Sequence, residues 1–165
     1  MRRFFSALLS LIIVLTMCGG VFAQDFNAQG SIIVPNFMYQ FKSTSSWVLP
    51  DVVLTNITNE TVTCQLRVYG SHGEDITARG SFCAGGGSSW VQVSNGGDVE
   101  IPAHSTRLYR MGYGNSQLRT VGYVEIKWAS TDIKANVALV GGVNLRARET
   151  YLHNTSFLIN QGNPF

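Results

Sequence analysis

The stretch Thr61–Val68, with the sequence TVTCQLRV, decides the fold class. Val62, Cys64, Leu66 and Val68 alternate with threonine, glutamine and arginine. A strict period of two places alternate side chains on opposite faces of an extended segment, one face buried and the other wet. The stretch therefore predicts a β-strand at the surface of an apolar core.

The same alternation returns along the chain. YVEIKW places Val124, Ile126 and Trp128 on one face, and SWVQV places Trp90 or Val91 inward. ANVALVGGVNL is apolar enough to predict a central strand covered on both faces. Further predicted strands are 32–41, 47–57, 106–111 and 150–159.

Turn signals separate these strands, and no segment after residue 23 keeps a helical apolar period. Asn95-Gly96 is typical of a tight turn, because glycine adopts positive φ angles at no steric cost. The pattern predicts an all-β fold, a single antiparallel β-sandwich of about seven to nine strands and the size of an immunoglobulin domain. Residues 31–160 would form this domain, with 24–30 as a loose lead-in and 161–165 as a tail.

The first residues predict export. Arg2 and Arg3 precede an apolar run that ends in small residues and Val21-Phe22-Ala23. This order is typical of a secretory signal peptide over residues 1–23, and the apolar run is shorter than the ~20 residues of a spanning helix. The rival interpretation is a membrane anchor. We expect a secreted protein, extracellular or periplasmic, with no membrane contact after cleavage.

The charge balance argues against nucleic acid as a partner. The chain has 12 basic and 10 acidic side chains, and cleavage would remove Arg2 and Arg3, leaving ten of each sign. A domain of near-zero net charge offers no electrostatic attraction for polyanions.

Two cysteines, Cys64 and Cys83, remain after cleavage. Disulfides persist in exported proteins, so the sequence predicts that these two residues pair. A loop of roughly 20 residues would gain about 3 kcal/mol from this bond in the chain-entropy model. The alternative is two buried free thiols.

No catalytic or metal-binding pattern stands out, and we expect neither an enzyme nor a cofactor. The histidines His72, His104 and His153 lie far apart, without the spacing of a metal motif. Within EIPAHSTRLYRM, residues 100–111, Pro102 indicates a turn or an edge, so His104 is predicted at a corner before a strand. The carboxylates Asp51, Glu125 and Asp132 have no partner that the sequence identifies.

Candidate ligand-binding residues are Trp47, Trp90, Arg146, Arg148 and Glu149. An exposed tryptophan ring can stack on a sugar, and an arginine fork matches a carboxylate. The alternatives are that the tryptophans pack in the core and that the arginines protect an exposed edge from pairing.

Three segments together resemble the sensory rhodopsin transducer family of small β-sandwich proteins. These are VVLTNITNETVTCQLRVYGSHGED, VEIPAHSTRLYRM and the run from Gly122 to Asn160, with an Ile-Pro-Ala entry at Ile101 and an Arg-x-x-Glu segment at Arg146–Glu149. The resemblance implies an all-β, non-catalytic interaction protein that forms homotetramers. Since that family acts in the cytoplasm and this chain carries an export signal, the binding role is the part that carries over.

Two functions follow as expectations. The first is a secreted, non-catalytic binding module for a carbohydrate or a cell-surface protein. The second is a structural subunit of an extracellular fibre or matrix that self-associates by strand exchange through loose termini.

Overall fold

The computed structural model describes residues 26–86, 89–114, 117–149 and 152–165, and the predicted signal peptide lies outside them. The described residues form ten strands and two short 3₁₀ helices. The strands are β1 (Gly30–Ser43), β2 (Ser46–Asn56), β3 (Val62–Tyr69), β4 (Gly80–Gly86), β5 (Ser89–Asn95), β6 (Asp98–Ile101), β7 (Thr106–Met111), β8 (Leu118–Ser130), β9 (Leu139–Arg148) and β10 (Leu152–Leu158). The 3₁₀ helices span Thr77–Arg79 and Ile159–Gly162.

Strand β2 is the branch point of the sheet. One edge of β2 pairs with β9 from Trp47 to Asn56. The other edge of β2 pairs first with β1 and then, from Asp51 to Thr55, with β7. One branch therefore has the order β10-β9-β2-β7-β4-β5, and the other has the order β1-β8-β3-β6. All these strand ladders are antiparallel, so the predicted all-β antiparallel fold is confirmed.

A single apolar cluster packs against both branches. The inner sets predicted from the alternation in TVTCQLRV and YVEIKW are buried, including Cys64, Leu66 and Trp128. Tyr109 and Met111 of β7 join this cluster, while Leu108 and Arg110 lie on the opposite face of the same strand. Each of these strands thus buries one face in the common core.

Two predicted strand environments are wrong. In β5, both Trp90 and Val91 are exposed, because β5 is the last strand of its branch. Strand β9 is central between β2 and β10, but it buries Leu139 and Val143 on one face only. The other face of β9 carries Asn144, Arg146 and Arg148, and this face borders a cleft.

The C-terminal residues are anchored, which differs from the predicted loose tail. The backbone N–H and C=O of Phe165 both bond to Leu139 at 2.9 Å, and the Phe165 ring belongs to the core cluster. In the lead-in, the Gln29 N–H donates to the Trp128 carbonyl at 2.8 Å, while Gly30 already belongs to β1. Within the described chain, residues 26–30 and 161–165 therefore offer less free chain for strand exchange than the sequence suggested.

The corner at His104 is as predicted. His104 lies between β6 and β7 with a φ of 53°, and its Nε2 atom lies 2.9 Å from Asn59 Oδ1. His104 is therefore a hydrogen-bonded turn residue in the left-handed region.

Candidate functional site

Three adjacent strands bring a carboxylate and two arginines to one face of the sheet. In the ladders, Asp51 of β2 lies opposite Arg110 of β7 on one side and Asn144 of β9 on the other. Directly opposed residues in an antiparallel pair share a face, and diagonal neighbours two positions away are within reach of long side chains. Arg146, two residues after Asn144, reaches Asp51 in this way.

The carboxylate of Asp51 is buried, with 3% of the residue exposed. Arg146 donates from Nε to Oδ2 at 2.7 Å and from Nη2 to Oδ1 at 2.9 Å, a bidentate pair. Arg110 approaches the same carboxylate with Nε at 3.6 Å from Oδ2. One acidic and two basic side chains leave this cluster with a formal charge of +1.

Burial and the neighbouring arginines shift the pKa of Asp51 in opposite directions. Burial raises the pKa of Asp51 above its ordinary value, and the hydrogen bonds and charge of Arg146, with the charge of Arg110, oppose that rise without cancelling it. Desolvation disfavours the charged form of a carboxylate, so the arginines keep an otherwise unfavourable buried anion in place.

Each arginine also lies against a tryptophan ring. Arg110 Cζ is 5.3 Å from the ring centroid of Trp90, and Arg146 Cζ is 5.6 Å from that of Trp47. Cations at this distance are attracted by the ring face. The two tryptophans differ in exposure, since Trp90 is 45% exposed and Trp47 only 5%.

Asp51, the two arginines and Trp90, but not Trp47, line a cleft of about 450 Å³, which we call the Asp51 cleft. Strand β10 supplies its far wall with Asn154, Thr155 and Ser156. The full lining is Asp51, Val53, Trp90, Leu108, Arg110, Asn144, Arg146, Asn154, Thr155 and Ser156. A positive centre, an aromatic ring and neutral amide and hydroxyl groups therefore face one space.

The structure brings together some of the predicted ligand-binding residues and separates others. Trp90 and Arg146 meet in the Asp51 cleft. Trp47 is buried against Tyr113 and Arg146, so its predicted exposure as a sugar platform is wrong. Arg148 and Glu149 are exposed at the end of β9 and do not line the cleft.

The predicted disulfide is not formed, because Cys64 and Cys83 lie on opposite sides of the sheet structure. Both are free and buried. Cys64 belongs to the core cluster, whereas Cys83 lies outside it and opposite Leu108, on the face that carries Arg110. Burial raises the pKa of the Cys64 thiol to about 12, so the thiolate needed for oxidation hardly forms there.

Other features of the described residues are less suited to a site. A larger cleft of about 620 Å³ between β1 and the end of β10 is lined by apolar and amide side chains without a charged group. Within the described ranges, no group of three or more histidine, cysteine or acidic residues is placed to hold a metal ion. Likewise, no helix among these residues is long and apolar enough to span a membrane.

Comparisons with family models, curated proteins and solved structures return no match for this chain. The resemblance to the sensory rhodopsin transducer family therefore stays a prediction.

Sequence reasoning missed the residues at the centre of the cleft. Asp51 is the one charge within the apolar strand WVLPDVVL, and a charge at such a position indicates a buried, paired group. That signal was not used, and it could have identified Asp51 as a carboxylate that needs a cation. The sequence offered no means of choosing Arg110 and Arg146 as its partners, because the pairing of β2 with β7 and β9 joins residues far apart in the chain.

Proposed function

We propose that this chain is a secreted, non-catalytic binding module whose Asp51 cleft takes a carbohydrate that bears a carboxylate or another anionic group. Export is supported by the N-terminal sequence pattern. The observation that carries the binding proposal is Arg110, whose hydrogen-bonding capacity is largely unused. Its side chain lines the cleft and is 36% exposed, its Nε atom has no hydrogen-bond partner among the described residues, and its contact with Asp51 is long, at 3.6 Å.

The surroundings of Arg110 favour a sugar over a simple anion. Trp90 is 45% exposed, and an accessible tryptophan ring can stack on a pyranose ring, which presents hydroxyl groups around its edge. Asn144, Asn154 and Ser156 supply neutral donors and acceptors for those hydroxyls. Asp51 is satisfied by Arg146, so the net positive charge remains available to a ligand carboxylate.

A binding role also fits the chemistry of the cluster better than catalysis. Asp51 is held by two guanidinium groups, which cannot accept a proton and so cannot relay one. The residues that line the cleft include no histidine or cysteine as an alternative base or nucleophile.

The proposal is tested with a panel of uronic-acid and sialic-acid oligosaccharides and their neutral counterparts, by titration calorimetry on protein produced from the full chain. We expect acidic members to bind and neutral members of the same size to bind at least tenfold more weakly. Binding should weaken as the salt concentration rises, since the ion pair between the ligand carboxylate and Arg110 would be partly exposed to solvent. Binding of a surface protein instead of any glycan would replace the carbohydrate assignment.

Two variants locate the site. Arg110→Met and Trp90→Ala should each reduce affinity at least tenfold. The matched controls are Arg119→Met and Tyr123→Ala, which alter an exposed arginine and a partly exposed aromatic residue on β8. Failure of every acidic glycan to bind, or equal losses in variants and controls, would contradict the proposal.

A further inference from the structure

Strand β10 forms an open edge of the sheet. It pairs with β9 over seven consecutive residues, Leu152↔Arg148 to Leu158↔Gly142, without a register shift. On its other side β10 has no hydrogen-bonded strand among the described residues; only its last residues, Phe157 and Leu158, face β1, across the 620 Å³ cleft. All seven residues of β10 are exposed. An edge of this kind presents unpaired backbone groups to any strand of matching length.

The edge also lacks the features with which proteins prevent edge pairing. The sequence LHNTSFL contains no lysine, arginine, acidic residue or proline. The other edges are protected. β1 has Pro35 and a register shift between Val34 and Phe37, and β6 is four residues long with Asp98 and Glu100. The β4–β5 ladder is interrupted between Phe82 and Cys83. β5 is uncharged as well, so β10 differs from the other edges of the described chain in being both uncharged and regular in its pairing.

The sequence of β10 begins and ends with leucine and has threonine at its centre. Antiparallel pairing of two copies about Thr155 sets Leu152 opposite Leu158, His153 opposite Phe157 and Asn154 opposite Ser156. Thr155 then lies opposite Thr155. Leu152 and Leu158 are 69% and 66% exposed, so this register would cover both on each copy. We infer that two copies of this chain pair through β10 about Thr155, so that the six-strand branches β10-β9-β2-β7-β4-β5 of both copies form one continuous sheet.

The assembly would stop at a dimer, because both copies use the same edge strand and neither has a free β10 edge left for a third copy. Residues paired about Thr155 keep the same face, so both Asp51 clefts would open on one side of the joined sheet. Five strand spacings of ~4.8 Å separate the two β2 strands, which places the clefts about 24 Å apart. A repeating polymer could then contact both clefts, which raises avidity without a new contact.

Opposite charges at the two-fold axis test this register directly. Side chains at position 155 would face each other within ~5 Å, so Thr155→Asp and Thr155→Lys should each place like charges together and give monomers. An equimolar mixture of the two variants should recover the dimer mass in light scattering. The control pair is Thr61→Asp and Thr61→Lys, at an exposed threonine before β3, and both should remain dimeric.

The wild-type protein provides an independent test that needs no variant. We expect a change from monomer to dimer with concentration in sedimentation velocity, and slower amide hydrogen exchange in β10 at the higher concentrations. Monomers at every concentration would overturn the inference. Open-ended growth would also overturn it, since that would indicate head-to-tail pairing of β10 with another edge. Failure of the mixed Thr155 variants to associate would overturn it as well. None of these readouts uses a ligand, so the inference stands or falls separately from the proposed function.

Discussion

Arg146 of β9 holds the buried carboxylate of Asp51 on β2 through two hydrogen bonds, 2.7 and 2.9 Å long. Replacing Arg146 by methionine would keep much of the side-chain volume and leave the carboxylate with Arg110 alone. We expect a loss of about 3 kcal/mol in the free energy of unfolding at neutral pH, because the charge stays buried with a weaker partner. Arg148→Met, two residues further along the same face, should cost less than about 0.5 kcal/mol.

The same variant should show a pH dependence of known sign. Loss of Arg146 removes an interaction that lowers the pKa of Asp51, so the pKa of the folded state rises further above its unfolded value. The folded state then binds more protons than the unfolded state, and stability relative to wild type recovers as pH falls from 7 to about 4. Urea unfolding across this range measures the difference, and a deficit that widened on acidification would contradict the role given to Arg146.

The two tryptophans that contact arginines should respond differently to truncation. Trp47→Ala removes a buried ring and should lower the free energy of unfolding by about 3 to 5 kcal/mol. Trp90→Ala alters a side chain that is 45% exposed and should cost less than about 1 kcal/mol. Denaturant unfolding of both variants checks this, and similar losses at the two positions would mean that Trp90 is structural.

The local alternation of apolar and polar residues was sufficient to predict the positions of most of the strands. The predicted strands 32–41, 47–57 and 106–111 lie close to β1, β2 and β7, because alternation is a property of neighbouring residues. The environments of Trp47 and β9 were not predictable in this way. They depend on how β2 divides its edges between β1, β7 and β9, which no local period records.

The cleft was predictable only in part for the same reason. Trp90 and Arg146 were identified from their chemistry, since an aromatic ring and an arginine fork suit a sugar acid wherever they lie. Asp51 and Arg110 lie 59 positions apart, and the opposition of the two across the β2–β7 ladder is set by the long-range register. The predicted disulfide failed similarly, because export alone does not determine whether Cys64 and Cys83 share a face.

The thiols give a direct chemical test. We expect Cys64 and Cys83 to resist alkylation in the native protein and to react in denaturant without any reductant, because both are free and buried. Mass spectrometry after each treatment counts the labelled sites. If both cysteines reacted only after reduction, the protein as purified would hold the disulfide after all.

The C-terminal anchor predicts a stability loss at the last residue. Phe165→Ala should lower the free energy of unfolding by about 3 kcal/mol, since the ring packs in the core beside Leu139. Ile133→Ala is the control, because Ile133 is 86% exposed. Thermal melts of the two variants compare them, and equal melting temperatures would show that the tail is dispensable.

Asn56 offers a final test of how the end of β2 is fixed. The two hydrogens of its buried side-chain Nδ2 are shared among the carbonyl oxygens of Glu60, Ile101 and Pro102, which lie 2.7, 2.9 and 3.1 Å from the nitrogen. Asn56→Asp replaces these donors with an oxygen of the same size facing carbonyl oxygens, so we expect a loss of at least about 2 kcal/mol at neutral pH.

Acidification should return part of that loss, because a protonated aspartate can donate one hydrogen bond and its folded-state pKa would lie above the unfolded value. Asn59→Asp is the matched control, since Asn59 is exposed and uses only its oxygen, toward His104. Denaturant unfolding at two pH values distinguishes the variants. Equal stability of Asn56→Asp and Asn59→Asp at neutral pH would mean that the Asn56 amide does not hold the β6–β7 corner against β2.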